Sequence, residues 1–331
     1  MKKINKSCIR ALWMGLCCCM FICFNQVFAQ EFNNNVYQTK TSATFNLKGN
    51  VIALEQNSVF PEGIPAILSV AVRPDIPALD TFSTLHITFD STGKIISSKQ
   101  TSISFSKKIA DPTETFYAYS NGLLMYEVNK SKDKLVDSTA YDYGRFDRIN
   151  SYTVYNNRKR VLYRYTFTYN SSRQMSTIRR RNEENYPVEM IKLRYDNDGI
   201  LTEQQFYDDN MKHVSTAAFN INPDENGRSN GTLLWTDGEG NLLSGTMTVA
   251  DSSGLLLEKN TIDKDKKVTN YNTYRYNDHG DLDSAKLFAN MENIEIAVTY
   301  KYDQAGNWIE KLLSINGKIA QTTSRMIKYR D

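Results

Sequence analysis

The chain has 331 residues, with 40 Lys and Arg against 37 Asp and Glu for a formal charge of +3, and five cysteines. That balance carries no global basic excess of the kind nucleic-acid binding needs, and the length suits two ordinary domains or one repeat array. Tyrosine, at 20 residues, is the marked enrichment; its amphipathic ring suits strands with one dry and one wet face.

Residues 1–29 read as a leader. Lys2, Lys3, Lys6 and Arg10 form a basic start, Ala11–Cys23 is apolar but short for a membrane span, and Val27-Phe28-Ala29 places small residues where a signal peptidase cuts, before Gln30. A cleaved signal peptide is expected, and with it export to the periplasm, the outer-membrane surface or the medium. The rival is a lipoprotein signal using Cys17, Cys18, Cys19 or Cys23, but Cys17 follows Leu16 and Cys23 follows Ile22 rather than a small residue. All five cysteines lie in the leader, as do four of the basic residues, so the chain from Gln30 onward has no thiol and 36 basic residues against 37 acidic ones, a net charge of −1. Stability must come from burial and backbone pairing rather than disulfides. No later window is apolar enough to cross a membrane as a helix, and export argues against nucleic acid as a partner.

Residues 30–84 read as an N-terminal arm and a proline-rich cap with the first strands. Gln30–Ala43 is polar and Asn-rich, Thr44–Glu55 holds the first strand or pair of strands, and Ser58–Leu79 carries Pro61, Pro65, Pro74 and Pro77 around the short apolar run Ala66–Val72. Prolines at that density disfavour central strands.

From Leu85 to the end, residues 85–331, a turn recurs. Gly93, Gly122, Gly144, Ser172, Gly199, Gly227, Gly254, Gly280 and Gly306 lie 29, 22, 28, 27, 28, 27, 26 and 26 residues apart. Most follow an aromatic strand end and an Asp or Asn, whose side chain can bind its own backbone ahead while Gly accepts a positive φ. Polar tips, such as Asp208–Asn210, Asp237–Gly240 and Asn316-Gly317, sit midway between them. Two reversals per period leave strands of about eight or nine residues and no room for a helix. Ile294, Ile296, Val298, Tyr300 and Tyr302 alternate with Glu295, Ala297, Thr299 and Lys301 in the cleanest copy, and Asn316-Gly317 is the dipeptide that best supplies two positive φ angles to a hairpin. The expected fold is all-β: an antiparallel hairpin-repeat meander of roughly 18 strands, forming an extended twisted or coiled sheet.

Tyr300-Lys301-Tyr302-Asp303-Gln304-Ala305-Gly306, Tyr274-Arg275-Tyr276-Asn277-Asp278-His279-Gly280 and Leu193-Arg194-Tyr195-Asp196-Asn197-Asp198-Gly199 resemble the YD repeats of the RHS family. The resemblance implies long antiparallel sheets that can coil into a shell. With too few repeats for a full shell and no toxin domain, the chain looks more like the short exported YD-repeat proteins of Gram-negative bacteria.

Chemistry is sparse. His86, His213 and His279 fall in different repeats without metal-ligand spacing, so neither a catalytic nor a metal residue is assigned and no cofactor is expected. Most carboxylates sit at turn tips, where turn geometry already explains them. The uneven region is Arg158–Arg194: Arg160, Leu162 and Arg164 share one strand face against Tyr163, Tyr165, Phe167 and Tyr169 on the other. Arg160, Arg164, Arg179 and Arg181 are the binding candidates, for an envelope protein or an anionic glycan. The expected function is therefore non-enzymatic presentation of a sheet surface in the envelope. Two alternatives stay open: a glycan hydrolase using paired carboxylates in the sheet groove, and a partial cage for a secreted partner.

Overall fold

The computed structural model describes residues 45, 47–59, 82–102, 111–289 and 292–330. The segments read from sequence as a leader and an arm, nearly all of the proline-rich segment and the tip at 290–291 lie outside them. Among the described residues there is no α-helix; twenty strands follow one another. They are β1 (Val51–Val59), β2 (Phe82–Phe89), β3 (Ile95–Ser102), β4 (Thr113–Ser120), β5 (Leu123–Ser131), β6 (Lys134–Tyr143), β7 (Ile149–Asn156), β8 (Val161–Tyr169), β9 (Met175–Asn182) and β10 (Pro187–Tyr195). The second half holds β11 (Leu201–Tyr207), β12 (His213–Pro223), β13 (Ser229–Asp237), β14 (Leu242–Ala250), β15 (Leu256–Asp263), β16 (Val268–Tyr276), β17 (Leu282–Ala289), β18 (Glu292–Tyr302), β19 (Trp308–Ile315) and β20 (Lys318–Tyr329).

Each strand pairs antiparallel with the next, which is the hairpin meander the sequence predicts. The outcome differs from the expected extended or coiled sheet in one respect. β20 also pairs antiparallel with β1, from Val51↔Tyr329 to Val59↔Thr322, so the sheet closes into a 20-stranded barrel. An open meander leaves two edges of unpaired N–H and C=O groups; closure removes both. Side chains reinforce the seam. Arg325 Nε donates to Gln56 Oε1 at 2.9 Å, and Ser58 and Thr323 share a hydroxyl hydrogen bond at 3.2 Å. Beside the seam, the buried Asn307 carboxamide accepts from the Lys48 N–H at 2.6 Å and donates to the Lys48 carbonyl at 2.8 Å, imitating a strand partner.

Strand alternation sets the two faces. On β18, Ile294, Ile296 and Val298 are at most 5% exposed, while Glu295, Ala297, Thr299 and Lys301 between them are exposed. In a closed ring the buried face is the inner one. Its apolar residues form three clusters: one from β1 to β3 around Leu54 and Ile87, one from β7 to β11 around Phe167 and Ile178, and one from β15 to β20 around Ile296 and Leu313. Each fully buried Leu or Ile contributes about 1.5–3 kcal/mol relative to exposure. The outer face carries charge on strand after strand, in complementary cross-strand pairs such as Lys286–Glu295 at 3.4 Å and Lys301–Glu310.

The turns explain why the hairpins form. At Asp196 the side-chain Oδ1 accepts the N–H groups of Asp198 (3.0 Å) and Ile200 (2.8 Å), while Gly199 N–H donates to the Asp196 carbonyl and takes φ +83°. The same five-residue loop occurs at both ends of the barrel, for example at Asp237 and Asp263 on one end and at Asp251 and Asp303 on the other. The left-handed fourth position is held by Gly or, at a cost, by Lys159, Arg173, Asn185, Met211 or Lys266. Gly144 departs from the expected role. Its φ is −97° and it stands first in its loop, where others have Asp or Asn, with the Asn150 side chain filling the space a Cβ would need. Asp147, at φ +57°, takes the left-handed position instead, and Arg173 does so beside Ser172. That displacement is the source of the short 22-residue interval in the glycine spacing. Asn316 and Gly317 adopt φ +49° and +76°, the tight hairpin predicted for that pair.

A candidate anion-binding face

Arg164 and Arg181 are direct cross-strand partners, and Arg179 lies two pairs along on the same face, opposite Thr166. All three point outward, because their neighbours Tyr163, Tyr165, Phe167 and Ile178 point into the barrel. Lys192 and Arg194 continue the row on the outer face of β10. Arg160 joins them from the β7–β8 turn, where its N–H is held by the Asn156 side chain at 3.0 Å. Arg164 Nε donates to Thr153 Oγ1 at 3.1 Å and an Arg181 Nη1 to the Asn185 carbonyl at 2.9 Å, which fix the two stems and leave further N–H groups pointing outward. The outer faces of β8, β9 and β10 hold no carboxylate; Asp147, Glu183, Glu184, Asp196 and Asp198 sit in the flanking loops. Glu203, on β11, lies 3.7 Å from Arg194.

One arginine of the region belongs elsewhere. Arg180 faces inward and meets Glu189 at 3.7 Å, with its guanidinium 5.2 Å from the Tyr163 ring centroid. Three consecutive arginines cannot share a strand face, so alternation puts the middle one in the interior, where a carboxylate compensates it. Burial pushes the Glu189 carboxyl up, and the Arg180 charge opposes that rise.

The sequence pattern does not single out Arg148. It stands with Arg173 at the opposite end of the same strands, their guanidiniums 5.5 and 4.6 Å from the ring centroid of Phe146, which is 68% exposed and left-handed at φ +63°. Cations therefore run along β7–β10 from one end of the barrel to the other. The signal that could have found Arg148 is the Gly144 loop, whose lack of a leading Asp or Asn already marks it as unlike its neighbours.

The three histidines stay apart. His86 lies 3.9 Å from Glu55 on the outer face, His213 contacts Thr216 at 2.9 Å, and His279 stacks on Tyr302 with centroids 3.9 Å apart. Among the described residues no cluster of three or more His, Asp or Glu is placed to hold a metal ion. The turn aspartates are occupied as acceptors. The Asn241 carboxamide and backbone N–H groups hold Asp237 below the ordinary carboxylate range.

No protein-family model and no curated protein matches the sequence. Among solved structures, a porin-like protein from Bacteroides uniformis aligns over 85% of this chain and 98% of its own at 11% identity and a TM-score of 0.34. A porin-like protein from Bacteroides vulgatus aligns over 75% and 94% at 11% identity and 0.22. TcdB2-TccC3 without its hypervariable C-terminal region aligns over 72% of this chain and 17% of its own at 10% identity and 0.23. Scores this low leave the fold to rest on the strand pairing described above.

Proposed function

We propose that the protein is a non-enzymatic component of the cell envelope, exported by its leader, whose β7–β10 face binds an anionic glycan. The observation that carries this reading is the row of Arg164, Arg179, Arg181, Lys192 and Arg194 on three adjacent strands whose outer faces hold no carboxylate. A rigid, extended row of guanidiniums suits a polymer that presents carboxylates or sulfates at regular intervals, because arginine can hold each of them by two parallel hydrogen bonds. The Tyr–Asp turns support kinship with the exported YD-repeat proteins.

The barrel works in water on this reading. A membrane barrel presents an apolar outer band flanked by aromatic girdles, whereas this outer face places Arg164, Arg179, Lys192 and Lys286 near the middle of their strands. Among the described residues no helix is long and apolar enough to cross a membrane.

Polygalacturonate is a suitable probe. Binding is expected to weaken steeply with salt, and the triple substitution Arg164→Glu, Arg179→Glu, Arg181→Glu is expected to abolish it while the circular dichroism spectrum stays unchanged. Retained binding by a folded triple variant would remove the basic face from the function.

A further inference from the structure

The outer wall is not uniformly convex. Across β16–β19 it sinks into a trough of about 440 Å³. Its cause is a cross-strand row of small side chains, Ser284↔Ala297↔Ser314, which begins at Arg275 and lies beside the taller row Thr273↔Lys286↔Glu295. One row further along, Tyr271 and Phe288 face each other across β16 and β17, 44% and 37% exposed. Hydroxyls on the floor and a charged rim thus line one concave patch, and two exposed aromatic rings stand just beyond that rim on the same face.

Three features choose the ligand. Lys286 and Glu295 neutralise each other at 3.4 Å, leaving one cation, Arg275, so the trough has nothing like the charge density of the β7–β10 face. The strands beneath are paired on both sides, so an extended peptide finds no free edge on which to form main-chain hydrogen bonds. A sugar chain needs no edge: its C–H faces pack on aromatic rings and its hydroxyls exchange hydrogen bonds with Ser, Thr and charged side chains. We propose that this trough is a binding site for a neutral oligosaccharide, with Tyr271 and Phe288 as the stacking platform and Ser284 and Ser314 as the hydrogen-bonding floor. It is a second site, separate in place and in ligand charge from the β7–β10 face.

The test is calorimetry of the purified protein against a panel of neutral hexasaccharides built on glucose, mannose and N-acetylglucosamine. At least one is expected to bind with a Kd below about 1 mM, with little change between ~50 and ~500 mM salt. The pair Tyr271→Ala and Phe288→Ala is expected to weaken that binding about tenfold or more, and Ala297→Trp, which fills the floor, to abolish it. The charge-reversed β7–β10 variant is expected to bind the neutral sugar as the wild type does, so either site can fail without the other. If no member of the panel binds, or if binding survives loss of both rings in a folded variant, the proposal is overturned. Should Ala297→Trp fail to fold, the two surface aromatics decide the matter alone.

Discussion

Asp251 shows how a single side chain makes a hairpin. Its Oδ1 accepts from the N–H groups of Ser253 and Leu255, each at 2.9 Å, and from the Ser253 hydroxyl at 2.7 Å. Burial works to raise this carboxyl, but those hydrogen bonds outweigh it and hold the group below the usual range. A folded-state pKa below the unfolded one means stability that is present at neutral pH and is lost as pH falls below about 4 and through the lowered value. Asp251→Asn is expected to keep the turn and flatten the acid limb of the stability profile, since Asn170 and Asn277 hold equivalent loops. Asp251→Ala is expected to cost about 1 kcal/mol at neutral pH. Urea titrations at pH 7 and at pH 3 check both. This chemistry was legible in the sequence because an Asp or Asn three residues before a Gly describes the loop in full. Gly144 was misleading for the same reason: without coordinates, a glycine at either loop position looks alike.

Strands are joined by more than their ladders. The tyrosine ending every second strand in one stretch reaches the start of the strand it pairs with: Tyr143 donates to the Leu124 carbonyl at 2.8 Å, Tyr169 to Ile149 at 2.7 Å and Tyr195 to Met175 at 2.8 Å. Farther along the ring the acceptor changes to a carboxylate, Asp281 for Tyr302 and Asp303 for Tyr329. The repeated tyrosine is thus a latch across the open end of each strand pair, adding a side-chain bond where the ladder ends. Burial pushes Tyr169 up to about 12, against the pull of the Arg148 charge, and burial with the Glu127 charge takes Tyr143 to about 12. Because these folded values exceed the unfolded value of about 10, the contribution is intact below pH 10. It is lost as pH climbs toward 12, where the unfolded chain ionises first. Thermal melts between those limits are expected to fall steeply for the wild type. Melts of Tyr169→Phe with Tyr143→Phe should fall less steeply from a lower start, each lost hydrogen bond costing about 1 kcal/mol.

At the level of the barrel, alternation along the chain disclosed which residues face inward, and the arginines of β8–β10 could be sorted by parity. Closure could not be read this way. Gln56, Ser58, Thr323 and Arg325 carry no mark of mutual attraction, and the seam joins segments more than 250 residues apart through backbone groups that every strand possesses. The trough was hidden likewise, since Ser284, Ala297 and Ser314 come from three strands and their small size matters only side by side. Asn307 offers a handle on closure. Asn307→Ala leaves the Lys48 N–H and carbonyl without their partner and is expected to cost about 1–3 kcal/mol. Hydrogen exchange should rise first in β1 and β20, ahead of the β8–β9 hairpin.

That seam also dictates the order in which the molecule can mature. Hairpins from β2 to β19 can zip up locally as soon as they are synthesised, but one side of β1 stays bare until β20 arrives. During that interval the nascent sheet exposes two adhesive rims, the feature that drives chains to stick to one another. A chaperone that masks bare strand edges would therefore matter most for the last ring-closing step, and refolding yields in vitro should depend on protein concentration far more strongly than the finished barrel's stability does.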